Sequence, residues 1–153
     1  MDLILWRHAE AFEVREGETD LERALTPKGE RQAQCMADWL GQRLAHSTRI
    51  LVSPALRCQQ TAKALGKKFK TLPELGPQGD AEAVLAAARW PAASEPVLIV
   101  GHQPTIGLVA AQLLTGTPQP GPVKKGAIWW IRARHREEGT QVILQAVQAP
   151  DCL

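Results

Sequence analysis

Four side chains able to handle an anion follow directly on apolar runs of the sequence. Arg7 and His8 come straight after LILW at 3–6, Ser53-Pro54-Ala55-Leu56-Arg57 comes after ILV at 50–52, and Gly101-His102 comes after VLIV at 97–100. Charged and polar groups placed at the ends of buried segments need partners, because desolvating them alone costs several kcal/mol, on the order of 2–7 for a neutral polar group and more for an ion. A guanidinium is a rigid fork of donors matched to phosphate oxygens. An imidazole can serve as acid, base or nucleophile, and a histidine nucleophile can carry a phosphoryl group between two easier transfers. The three cysteines, Cys35, Cys58 and Cys152, are widely spaced, with no CxxC pair and no Cys/His run of the kind zinc sites use. The histidines therefore read as acid, base or nucleophile, with neither metal nor cofactor expected.

The elements that must position these residues can be read from the pattern. The three apolar runs are continuous rather than alternating, as in central strands covered on both faces. Thr26-Pro27 is an N-cap followed by proline at the first helical position, and Ala33, Met36, Leu40 and Leu44 recur behind it at helical spacing. Ser53-Pro54 repeats that start, with Leu56, Ala62 and Leu65 behind it and Gly66 as a stop. Asp80 caps a third helix through Val84, Leu85 and Ala88 that ends near Pro91. A fourth begins around Pro104 with Ile106, Val109 and Leu113. Phe69 to Leu72 adds a short strand, and AIWWIRA at 127–133 and VILQAV at 142–147 flank REEGT as an antiparallel hairpin.

The expected fold class is α/β: a three-layer α/β/α sandwich whose sheet is mainly parallel, with an antiparallel C-terminal edge. Ligands of such sheets bind beyond the carboxyl ends of the parallel strands, where Arg7, His8, Arg57 and His102 would converge. Helices opening near Pro54 and Pro104 would add backbone N–H donors.

The 153 residues, 44% of them hydrophobic, suit one domain spanning 1–153. A net charge of +2, from 18 basic and 16 acidic residues mixed along the chain, gives no reason to expect a nucleic-acid partner. MDLILWRHAEAF has neither the pattern of a signal peptide nor the length of a membrane span, so no membrane partner is expected and a cytoplasmic location fits the reduced cysteines.

Arg7-His8 after a first strand, LTPKG at 25–29, SPALRCQQT at 53–61 and GHQP at 101–104 together resemble the histidine phosphatase superfamily, with its phosphoglycerate-mutase-like fold. The short length and LPELGPQGD at 72–80 are most similar to the SixA-type phosphohistidine phosphatases. The resemblance implies that His8 is the transiently phosphorylated nucleophile. It also implies that Arg7, Arg57 and His102 hold the non-bridging phosphoryl oxygens, and that water then releases phosphate ion. Glu74 is the positional candidate for a general acid, with Glu10, Asp20 and Asp80 as alternatives. The signature glycine after the histidine is Ala9 here, which would be strained only if that backbone needs a positive φ.

Between Leu72 and Val97 there is room for one helix and no lid. An open site fits phosphohistidine on a signalling or phosphotransfer protein, while a small phosphate ester, such as a sugar phosphate or nucleotide, is the alternative substrate. A catalytically weak phosphate-binding regulatory module is the rival of another class. Arg23 and Ser53 are outer candidates for substrate contact, although Ser53 also reads as a plain helix cap, since no GxSxG elbow surrounds it. His46 and His135 read as surface residues, Cys58 as a buried helix residue, and Lys124-Lys125 as a solvated loop or a guide for acidic partners. Of Trp129 and Trp130, one should enter the core.

Overall fold

The structure is a computed structural model describing residues 1–153. Its strands are β1 (Asp2–Arg7), β2 (Arg49–Val52), β3 (Lys70–Thr71), β4 (Val97–Gly101), β5 (Ile128–Arg136) and β6 (Gly139–Gln148). Its helices are α1 (Pro27–Gly41), α2 (Leu56–Lys63), α3 (Ala81–Ala88) and α4 (Thr105–Thr115). The strands form one sheet in the order β3-β2-β4-β1-β5-β6, parallel from β3 to β1 and antiparallel at β5 and β6. No helix is long and apolar enough to cross a membrane.

Continuous apolar strands are explained by helices on both faces. Leu3, Leu5, Leu51, Ile99 and Ile131 pack with Val84 of α3 and Ile106 and Val109 of α4. Their alternates Ile4, Trp6, Val52, Leu98 and Val100 pack with Met36 and Leu40 of α1 and with Cys58 and Ala62 of α2. All five residues of β4, in the middle of the sheet, are buried. Each fully buried large side chain contributes about 1.5–3 kcal/mol, which makes the middle strands a stiff platform.

Two helix starts occur as the sequence indicates. Thr26 Oγ1 accepts the Gly29 N–H at 2.9 Å, and Asp80 Oδ1 accepts the Ala83 N–H at 2.8 Å. The Gly29 of LTPKG is needed for close approach, because a Cβ there would run into the carbonyl oxygen of Glu10. The Ser53-Pro54 start is corrected: α2 opens at Leu56 behind Ala55, with no side-chain cap, and closes at Lys63, before Leu65 and Gly66. Leu44 lies past the end of α1 but is still buried. The third strand shrinks to Lys70–Thr71, both exposed at the sheet edge. The hairpin is longer than its apolar stretches suggest, turning at Glu137-Glu138 into Gly139 at φ +126. A bulge between Trp130 and Ile131 shifts its register. Trp130 enters the core beside α1, whereas Trp129 is only partly buried against the other core.

Candidate active site

The register of the sheet sets the site. Arg7 pairs with Gly101 and Val52 with Val100, so β1, β2 and β4 end almost level. The chain continues the ladder one step further, with His8 N–H donating to Gly101 O and Ser53 N–H to Val100 O, both at 3.1 Å. His8, Ser53 and His102 therefore leave the same edge of the sheet. α2 presents Arg57 beside them, and the rings of His8 and His102 lie 5.4 Å apart between centroids.

His8 is 7% exposed, and its Nδ1 lies 2.8 Å from the Ala9 carbonyl oxygen. A carbonyl can only accept, so Nδ1 carries the proton and Nε2 keeps its lone pair. Burial, reinforced by the neighbouring His102, Arg57 and Arg7, pushes the His8 pKa down to about 3 against the hydrogen bond to Ala9. The ring is thus neutral at physiological pH, with the lone pair of Nε2 left uncommitted by the Ala9 contact. Ala9 does not have a positive φ, and its methyl packs with Leu25 and Ala33 in a small core of its own. The replacement of the signature glycine is therefore unstrained. The Ala9 N–H donates to Thr61 Oγ1 at 3.1 Å, and Thr61 Oγ1 donates to the Arg57 carbonyl at 2.7 Å, which ties the His8 turn to α2.

Both arginines hold donors in reserve. Arg7 donates from Nη1 to Val123 O at 2.7 Å. Arg57, 3% exposed, donates from Nη1 to Asp20 O at 2.8 Å and from Nη2 to Asp20 Oδ2 at 3.0 Å. The Nε atoms of Arg7 and Arg57 are buried without any hydrogen-bond partner. Arg49 leaves its Nη1 in the same state at the start of β2. What distinguishes Arg7 and Arg57 is that both line one cavity, where two guanidinium charges suit an anion.

His102 is 5% exposed, with Nε2 2.7 Å from Ser53 Oγ and Nδ1 3.4 Å from Arg57 Nη2. Ser53 is fully buried, and its Oγ also accepts the Ala55 N–H at 3.2 Å. Its hydroxyl thus backs the imidazole and does not line the cavity. Burial, and then the Arg57 charge, push the His102 pKa down to about 4.

The cavity enclosed by these residues is about 310 Å³, and Arg7, His8, Arg57 and His102 all line it. Arg23 lines it too, anchored by Nε to Asp20 Oδ1 at 2.9 Å and by Nη1 to Phe12 O at 3.0 Å. Glu74 does not: it is exposed and lines a neighbouring groove of about 600 Å³ together with Asp20, Leu21 and Pro54, and a narrow cleft behind the cavity that His102 also lines. Pro77 borders both spaces. Partial burial opposes ionisation of Asp20, but hydrogen bonds from Arg57 and Arg23 outweigh it and hold the carboxyl below its usual range. Of the alternatives, Glu10 accepts from Thr26 Oγ1 and Asp80 caps α3. His46 and His135 are exposed, while Cys58 is buried. Lys124 pairs with Asp151, and Lys125 lines the cavity. Sequence reasoning missed Gln103 and Glu13 on the cavity wall, as well as the Val123 carbonyl that holds Arg7. Gln103 lay inside the GHQP motif, whereas nothing local marks Val123.

Residues 3–78 match the sequence profile of the histidine phosphatase superfamily (branch 1). The phosphohistidine phosphatase SixA of Escherichia coli is 33% identical over 128 residues, covering 78% of each chain. A solved structure of the protein histidine phosphatase SixA with tungstate superposes with a TM-score of 0.78 at 29% identity, over 99% of both chains. A phosphoserine phosphatase of Entamoeba histolytica, solved with phosphoserine, shares the fold alone, with a TM-score of 0.70 at 14% identity over 99% of this chain and 98% of its own. With its motifs in family order on one sheet edge, the chain belongs to the histidine phosphatase superfamily, among its SixA-like members.

Proposed function

We propose that this phosphatase removes phosphate from phosphohistidine in a signalling or phosphotransfer protein, through a phosphorylated His8. The observation that carries the reading is a neutral His8, its Nδ1 committed to Ala9, in a cavity where two buried guanidinium N–H groups lack acceptors. In the first step His8 Nε2 attacks phosphorus, and the bond from phosphorus to the substrate imidazole nitrogen breaks. Arg7, Arg57 and His102 hold the three non-bridging oxygens as charge spreads over them, with Arg23 further out. The departing imidazole takes a proton from water. A second water then attacks phospho-His8, the phosphorus–nitrogen bond to His8 breaks, and phosphate leaves.

The choice of leaving group rests on the acids. Asp20 is held ionised by two arginines, and Glu74 stands on the groove outside the cavity. An imidazole needs less help from an enzyme acid than an alkoxide does, which favours phosphohistidine over an ester. The groove beside the cavity has room for the polypeptide flanking a phosphorylated side chain, and the residues between Leu72 and Val97 form only a short turn and α3.

The test is to incubate the protein with a phosphohistidine carrier protein and with a panel of small phosphate esters, with and without a chelator. Release from the carrier well above release from any ester is expected, insensitive to chelator. Release mainly from esters would replace the substrate. No turnover and no acid-labile label on the protein would leave only a phosphate-binding module. If Glu74 does protonate an ester oxygen, Glu74→Gln will slow esters more than phosphohistidine.

A further inference from the structure

Ser53 is a serine without an ordinary job. It does not cap α2, it has no access to solvent, and its Oγ is 2.7 Å from His102 Nε2. The partners of the two ring nitrogens decide the tautomer. Arg57 Nη2 can only donate, so the Nδ1 it faces at 3.4 Å must be the acceptor. Nε2 then carries the hydrogen and donates it to Ser53 Oγ. The Ala55 N–H donates to the same oxygen at 3.2 Å, which turns the Ser53 lone pairs to fixed directions. Cys58 closes the far side of the ring, its sulfur 3.5 Å from His102 Nε2.

We propose that Ser53 is a positioning residue that locks His102 in the Nε2–H tautomer, so that Nδ1 is the atom offered to the phosphoryl group. This rests on His102 facing that group as described above. When the phosphoryl oxygens approach, Nδ1 takes up a proton from solvent water, and the Nδ1–H so formed donates a hydrogen bond to one of them. Ser53 Oγ accepts the hydrogen bond from the opposite side of the resulting imidazolium. A fixed oxygen behind a histidine sets ring orientation and basicity in the same way as the outer partners of other reactive imidazoles.

The groups facing His102 are Arg57 and Cys58 on α2, Arg7 and His8 at the end of β1, Asp20 and Arg23 on the preceding turn, and Glu74 across the turn after β3. All stay in place in Ser53→Ala, so a changed pH profile reports the lost oxygen. Without it the imidazolium is less stable, and the basic limb of kcat moves to lower pH. The expected effect on kcat is a loss of about 10–100-fold with little change in KM, largely restored in Ser53→Thr.

Nitrogen-15 NMR of His102 in the unsubstituted protein needs no substrate, so it separates this proposal from the choice of substrate. A protonated Nε2 with a bare Nδ1 supports it, and the opposite tautomer overturns it even if Ser53→Ala does not fold. A folded Ser53→Ala protein with unchanged kcat and pH profile also overturns it, on whichever phosphate donor the protein turns over.

Discussion

The two ends of β1 hold arginines in opposite states. At its start, Arg132 of β5 grips Asp2 with two bonds, Nε to Oδ1 at 2.7 Å and Nη2 to Oδ2 at 3.0 Å, while Trp130 Nε1 donates to the same carboxylate at 3.0 Å. At its finish, Arg7 and Arg57 each bury an Nε with no acceptor. The pairing with Asp2 raises the Arg132 pKa, whereas burial lowers that of Arg7. Arg132 holds the fold by its pairing with Asp2. Arg49 Nη1, at the start of β2, is also buried without a partner, so what sets Arg7 and Arg57 apart is the cavity they share rather than a missing acceptor alone.

The strongest way to break the comparison is to remove the proposed nucleophile. His8→Ala is expected to lower turnover at least about 10,000-fold, and Arg57→Ala about 100–1,000-fold, measured as phosphate release on protein that keeps its fold by circular dichroism. Equal activity in either variant would remove that residue from the mechanism.

The second contrast is in acid. His8 and His102 have folded pKa values near 3 and 4, below the ordinary 6.5, so the unfolded chain binds more protons as pH falls. Their contribution to stability is present above pH 6.5 and is lost as pH drops toward those folded values. Partial burial opposes it, but the bonds from Arg132 and Trp130 lower the pKa of Asp2, so its contribution persists until pH falls below about 3.8. Thermal melts between pH 7 and 5 should therefore fall more steeply for the unsubstituted protein than for His8→Ala. Parallel curves would show that His8 is not held neutral by the fold.

At the structural end, Arg132→Ala should lower stability by about 1–2 kcal/mol, or roughly 3–6 °C in Tm, and leave kcat intact. A large loss of activity with an unchanged Tm would erase the distinction between the two ends. The smallest effect should come from Ala9→Gly, which restores the signature residue. It gives up a packed methyl and stiffens nothing in return, so stability should fall by about 0.5–1 kcal/mol while the rate stays close to that of the unsubstituted protein. A rise in Tm would show that the alanine is strained after all.

Much of this was legible in sequence because burial and helix starts leave local signatures. The continuous runs at 3–6, 50–52 and 97–100 placed three parallel strands and hence the edge where Arg7, His8, Arg57 and His102 meet. Thr26 and Asp80 read as caps because a cap is a contact across three residues. Ser53 carried the same local signal, yet its hydroxyl answers a histidine 49 residues away. Composition could not show that Asp20 would reach Arg57 across 37 residues either, nor that a mainly polar turn would extend the hairpin beyond its apolar stretches. What was lost in each case is a long-range polar pairing, which has no period to read.

Under the proposed mechanism, the grip of Asp20 on Arg57 has a kinetic consequence. A phosphoryl anion that reaches for this guanidinium competes with a carboxylate already bonded to it, so capture is an exchange of one anion for another. The same carboxylate stands ready to reclaim Arg57 when inorganic phosphate forms. An internal competitor of this kind weakens the hold on product as well as on substrate, and so favours turnover over retention.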